Sequence, residues 1–352
     1  MPEPPANQDE LERTLGLVPA LAIGTGTMVG AGIFVCPGLA AGRAGPAAML
    51  SFAIGAVIAL LVALPTSELA TAMPESGGGY FFVSRALGTL LGCMVGIGQW
   101  LGLIFVSAFY LIGFGHYLSD LVRELGINLP LPVVGLAFGM GILLTRVSVP
   151  GTEHTGDLQN WIVGSLLAIL AGWLGHGGLD ALGIFGRSQT PEAFLPYGTM
   201  PVLTTAARVF TSYLGFVQIA TVAGEIKAPS RNLPRSMIGS VLLVGTLYVL
   251  TIFISTSLLG SEPLAEMGET AAVNVGRSIA GTFGAAALLG GGLLATLSSA
   301  NASILSASRS IYALSRDELV PSQVERINRR YRTPHVALLL TGGIIVALIL
   351  FG

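Results

Sequence analysis

Gly24-Thr25-Gly26-Thr27-Met28-Val29-Gly30-Ala31-Gly32-Ile33-Phe34 lies in the middle of a charge-free run over 14–42. Glycine weakens a helix and bares its backbone. Inside hydrocarbon, freed N–H and C=O groups persist only where they line a cavity or are buried in protein. A helix broken here turns its backbone dipoles on a ligand. The N–H groups opening the second half hold an anion, and the C=O groups closing the first half hold a cation. Close helix packing is the other reading, because Gly26 and Gly30 stand four residues apart and small residues at that spacing let helices approach.

A second stretch interrupts its apolar surroundings in the same way. It reads Val209-Phe210-Thr211-Ser212-Tyr213-Leu214-Gly215-Phe216. Two broken helices at corresponding places in two halves of a chain point to a transport site near the bilayer midplane. Set side by side, they complement the zwitterionic head of an amino acid without a charged side chain.

The rest of the chain must hold these breaks in a membrane. Of its 352 residues, 52% are hydrophobic and 10% charged. Soluble domains carry about 25% charged residues, so this is an integral membrane protein. A helix needs roughly 20 apolar residues to cross the hydrocarbon. Nine runs are expected to span it: 14–42, 47–64, 88–115, 131–145, 158–175, 201–224, 234–259, 278–307 and 334–352. With the N-terminus inside, twelve of the 17 Lys and Arg residues fall on the cytoplasmic side, as the positive-inside bias requires. Residues 1–13 then form a cytoplasmic tail and 14–352 the transmembrane domain, in a plasma membrane. The basic segment 308–333 also holds Ile311, Tyr312, Leu314, Leu319 and Val320, the pattern of an amphipathic helix lying on the inner surface; an ordinary solvated connector is the alternative.

Other chemistries find no support. Cys36 and Cys93 read as buried free thiols, and the four histidines show no ligand spacing. No Ser-His-Asp set or acid–base cluster lies at one depth, which argues against an enzyme, a metal centre or a cofactor. Nothing points to nucleic acid, and the oligomeric state is left open.

In order along nearly the whole chain, the motifs are these: Gly30-Ala31-Gly32-Ile33-Phe34; Glu68-Leu69 with Pro74-Glu75-Ser76-Gly77-Gly78-Gly79-Tyr80; Ser212 through Phe216 leading to Ala223 through Arg235; and Ser298 through Arg309 with Tyr312-Ala313 and Ser315-Arg316-Asp317. The chain resembles the amino acid–polyamine–organocation (APC) superfamily of amino acid permeases. The resemblance implies an all-α, leucine-transporter-like fold of two inverted five-helix repeats, at about 14–178 and from about 200 onward. It also implies secondary active transport by alternating access. Carried over by position, Gly30, Ala31 and Gly32 offer amides to the substrate carboxylate, and Met28 offers its carbonyl to the ammonium. Phe210, Thr211 and Ser212 offer carbonyls, and Gly215 gives room for the bend. Ser298 and Ser299 match the place where sodium-coupled relatives hold an ion. Arg208, Glu225 and Lys227 are the gate candidates, Arg208 reading equally as a residue that snorkels to the interface.

Three departures refine this expectation. The fifth span, from Leu158-Gln159-Asn160-Trp161, lacks the lysine that replaces sodium in some proton-coupled relatives, which argues against H+ coupling by that route; of Na+ or H+ as coupling ion, Na+ coupling stays open beside exchange and facilitated diffusion. Val217-Gln218 stands where relatives often have an acid, and no Asp or Glu lies at mid-depth. A buried cation without a counter-charge is expensive, so neutral, small or apolar amino acids are expected ahead of cationic amino acids or polyamines. The chain ends at Gly352 inside the ninth run, whereas two complete repeats need a tenth; a non-transporting sensor of the same fold is the alternative from another class.

Overall fold

The computed structural model describes residues 11–30, 32–127, 130, 132–184, 193–328 and 331–351. Among the described residues there is no strand; the one β-type contact is an isolated parallel bridge between Leu15 and Ile226. The helices are α1 (Leu17–Val29), α2 (Gly32–Ala44), α3 (Ala48–Ala72), α4 (Gly79–Leu87), α5 (Thr89–Glu124), α6 (Val133–Ser148) and α7 (Thr152–Ala181). They continue with α8 (Thr199–Val209), α9 (Val217–Thr221), α10 (Pro229–Leu259), α11 (Ser261–Met267), α12 (Ala271–Arg316) and α13 (His335–Phe351). Helices cover each of the apolar runs. Five stretches are long and apolar enough to cross a membrane: Leu17–Ala72, Thr89–Glu124, Thr152–Ala181, Pro229–Leu259 and Ser261–Arg316.

Burial runs opposite to that of a soluble bundle. Leu90, Trp161 and Phe283 are exposed, while every residue of α12 from Ser298 to Ser315 is buried, seven serines among them. Lipid is as apolar as leucine, so helices associate here through close packing and hydrogen bonds rather than through escape from solvent. α12 is the central strut, packed along α5, α7 and α1. It is interrupted at Ala280–Gly281, where Gly281 takes φ +60°.

Two ends of the bundle can be told apart. One, the Arg-rich face, gathers the α3–α5 connection, the starts of α7 and α10 and the end of α12, tied by Arg316–Glu75 (3.2 Å) and Arg85–Asp317 (3.7 Å). Here Gly77 and Gly78, at φ +120° and +56°, make the tight turn into α4. Tyr80 on α4 donates to Asp317 at 2.6 Å. Burial first, and then the Asp317 carboxylate, push the Tyr80 phenol above its ordinary range, so it stays a donor. The opposite face carries α11 and the ends of α2 and α5, with Arg277 paired to Glu124 at 2.8 Å.

Among the described residues of 308–333 there is no separate surface helix. α12 continues through Arg316, and Arg309, Ile311, Tyr312 and Leu314 are buried in it. The polar positions that made this segment look interfacial find partners inside the protein. Leu319 and Val320 pack against the same small apolar cluster around Tyr80.

Candidate functional site

The first break is where glycine requires it. α1 stops at Val29, and Gly30 takes φ +38°, a region that favours a residue without Cβ. α2 resumes at Gly32; Ala31 lies outside the described residues. The Gly30 amide donates to Gly26 O at 3.2 Å and so closes α1. That corrects the expectation of a free Gly30 amide: among the described residues, the orphan N–H groups lie in the first turn of α2, at and after Gly32. The packing reading also holds, one turn earlier. A Cβ on Gly26 would run into Ser298 Oγ and lie 2.6 Å from Gln159 Nε2.

The second break is a 3-10 segment, Phe210–Phe216, between α8 and α9. Such a turn uses its carbonyls on N–H groups three residues on. Free carbonyls at Phe210, Thr211 and Ser212 are therefore not what it presents. Phe210 packs on the apolar core, and Thr211 Oγ1 donates to Arg208 O at 2.9 Å. Gly215 lets the two breaks touch, because a Cβ there would sit 2.7 Å from Met28 N. Thr27 Oγ1, within reach of Ile23 O on its own helix at 2.8 Å, also lies 3.1 Å from Gly215 O across the gap.

Between the breaks lies a cavity of about 410 Å³. Met28, Gly32, Thr211, Ser212 and Gly215, all expected from the sequence, line it. Cys36, Val106, Phe109, Tyr110, Gln218 and Tyr248 complete most of the wall. Among the described residues lining it there is no Asp, Glu, Lys, Arg or His. Val35, Phe109 and Tyr110 also line a second, charged cavity of about 770 Å³ that includes His116, Asp120 and Arg277 near the opposite face.

Ser298 and Ser299 sit behind the cavity, against α1. Ser299 Oγ donates to Gly26 O at 2.9 Å. Gln159 Nε2 donates to Ser298 Oγ at 2.7 Å and lies 3.2 Å from Ala22 O, and Asn301 Nδ2 donates to Gln159 Oε1 at 2.8 Å. Amide N–H groups thus already point at the oxygens a cation there would need.

The three gate candidates part company. Glu225 is buried and receives Arg309 Nε at 2.6 Å and Nη2 at 3.1 Å. Thr152, which opens α7, donates to the same carboxylate and accepts from Arg309 Nη2 at 2.9 Å. Leu15 N donates to Glu225 O at 2.9 Å, so the chain's N-terminal segment is tied to this cluster. Lys227 is exposed, and its backbone N–H bonds Leu15 O at 2.8 Å. Arg208 is exposed at the end of α8 and is not among the residues lining the cavity.

Sequence reasoning missed Tyr110, Tyr248, Gln159 and the buried role of Arg309. The signal for Gln159 was present, a polar side chain at the start of an apolar run. Tyr248 stood in a run rich in apolar residues, where nothing local tells a packed ring from a hydroxyl with a task.

The amino acid permease family model matches residues 15–352. The chain is 28% identical over 348 residues to the branched-chain amino acid permease BcaP of Bacillus subtilis, covering 94% of this chain and 73% of the relative. It is 25% identical over 341 residues to the serine/threonine exchanger SteT of Bacillus subtilis, covering 93% and 74%. Against the mitochondrial cationic amino acid transporter 3 of Arabidopsis thaliana it is 27% identical over 374 residues, covering 96% and 57%. The chain belongs to the amino acid permease family of the APC superfamily, a family of multi-pass membrane transporters and not of enzymes.

Proposed function

We propose that this permease carries neutral, small or apolar amino acids by alternating access, and holds them in the cavity between the α1/α2 break and the 3-10 turn. The observation that carries the reading is that the described residues lining that cavity include no charged side chain. Its about 410 Å³ lies within the roughly 300–1,000 Å³ usual for small-molecule sites. The first-turn amides of α2 face the carboxylate, and the Met28 carbonyl faces the ammonium. A cationic side chain or a polyamine would find no counter-charge there.

The two interrupted elements, α1/α2 and α8–α9, open the two halves of a leucine-transporter-like inverted repeat with nine spans in this chain. The N-terminus and the Arg-rich face lie in the cytoplasm, which satisfies the positive-inside bias at the plasma membrane. The Glu225–Arg309–Thr152 cluster, with Leu15 bridged to Ile226, is the inner latch that must open to release substrate. The donors of Gln159 occupy the neighbourhood of Ser298 and Ser299. Transport therefore proceeds without sodium at this position, by exchange or another gradient.

Uptake of radiolabelled leucine and alanine into proteoliposomes tests the proposal. Saturable uptake, competed by neutral amino acids and not by arginine or putrescine, is expected. Equal competition by the cations overturns the substrate class, and binding without uptake supports a sensor instead.

A further inference from the structure

α10 carries one residue that reaches the break between α1 and α2. Tyr248 is fully buried, its ring stacked on Phe52 (centroids 5.0 Å apart, planes at 20°) and edge-on to Tyr213 (5.4 Å, 62°). A phenylalanine would serve that packing equally well. The hydroxyl is what differs, and it donates to Met28 O at 3.1 Å while bordering the cavity.

We propose that Tyr248 is a direct acceptor for the substrate's ammonium group. This rests on the amino acid site placed above. A phenolic hydroxyl has one proton to give and lone pairs to receive with. Here the proton goes to the Met28 carbonyl, so the oxygen meets a ligand as an acceptor only. Donating that proton polarises the oxygen and strengthens it in this role. Ser212 stands beside it: a Cβ on Gly32 would lie 2.5 Å from Tyr248 Oη and 3.5 Å from Ser212 Oγ. A substrate ammonium has three N–H donors and finds no carboxylate among the described lining residues. The second lone pair of Met28 O, Tyr248 Oη and Ser212 Oγ supply three neutral acceptors from three different elements. Tyr248 also holds the carbonyl it bonds at the end of α1.

The test compares ligands that differ only in the amino group. Affinities are measured for leucine against isocaproate and for alanine against propionate, on the purified full chain and on Tyr248→Phe. The wild type is expected to prefer each amino acid over its deaminated acid. In Y248F that preference falls by about tenfold or more, the effect of losing a hydrogen bond to a charged group, while the acids bind as before. Gly32→Ala reaches the same contact from the other side, its Cβ displacing the Tyr248 hydroxyl, and should lower the same ratio even if Y248F is poorly folded. Amino acid and acid weakening in proportion would show a purely structural tyrosine and overturn the proposal, as would an unchanged ratio. A wild type that binds no neutral amino acid overturns the site itself, and the role of Tyr248 with it.

Discussion

The centre of the molecule and its Arg-rich face handle polarity in opposite ways. At the centre, the cavity wall offers hydroxyls, amides and carbonyls and no described charged side chain. On the Arg-rich face, Arg309 and Glu225 are 0% and 1% exposed and share two hydrogen bonds. The difference is what the proposed roles of substrate site and latch require. A ligand that arrives and leaves is matched by fixed dipoles, which bind its charged ends without an ion left unpaired when the site is empty. A latch built from the protein's own charges is satisfied while closed and costly while half open, so it favours two discrete states.

The strongest way to break this contrast is to remove one partner of the latch. Arg309→Ala leaves the Glu225 carboxylate buried and should lower stability by about 3–5 kcal/mol, read from thermal unfolding in detergent. Replacing both partners by apolar residues of similar volume should restore most of that loss. If Arg309→Ala behaves like a surface substitution, the latch is not a closed pair. A bulky residue at the central break comes next. Gly30→Leu must hold φ +38° with a side chain beside Ser299 and Tyr110, and substrate affinity should fall by about tenfold to a hundredfold by equilibrium binding. Unchanged affinity would remove the break from the site.

Cysteine chemistry sharpens the comparison further. Cys36 lines the cavity, whereas Cys93 on α5 does not. A small thiol reagent should block uptake, substrate should slow the block, and Cys36→Ala should abolish it; a block that persists in that variant places the reactive thiol elsewhere. Smaller still is the effect of Arg208→Gln, a change of under about 0.5 kcal/mol in stability with KM unaltered, as for an exposed side chain away from the site. The smallest expected effect is none at all: replacing sodium by choline should leave uptake unchanged, and a sodium-dependent rate would show that the Gln159 donors yield to an ion.

Much of this was legible without coordinates, and particular residues show why. The breaks at Gly30 and Thr211–Gly215 announce themselves because glycine and small polar residues are out of place in apolar helices, a local property. Glu225 drew attention as an acid in a basic loop, but Arg309 looked interfacial because its partner lies 84 positions away. Ser298 lies against α1, and its hydroxyl is bonded by Gln159, 139 positions distant, which no local pattern displays. The free amide expected at Gly30 failed for a local reason that a sequence does not display: the last turn of α1 runs one residue further and takes that donor.

From its sequence alone this chain determines that it is a helical membrane protein of the amino acid permease kind, with a glycine break in its first apolar run. Hydropathy, positive charge bias and glycine act within a turn or two of the backbone, so they can be read in order. Only the tertiary structure decides which groups meet at that break. Tyr248 reaches Met28 across 220 positions, and Thr27 reaches Gly215 across 188. Helical periodicity assigns a side chain a face but not a partner. In a bilayer, where association rests on packing and hydrogen bonds, the partner is set by how the helices cross.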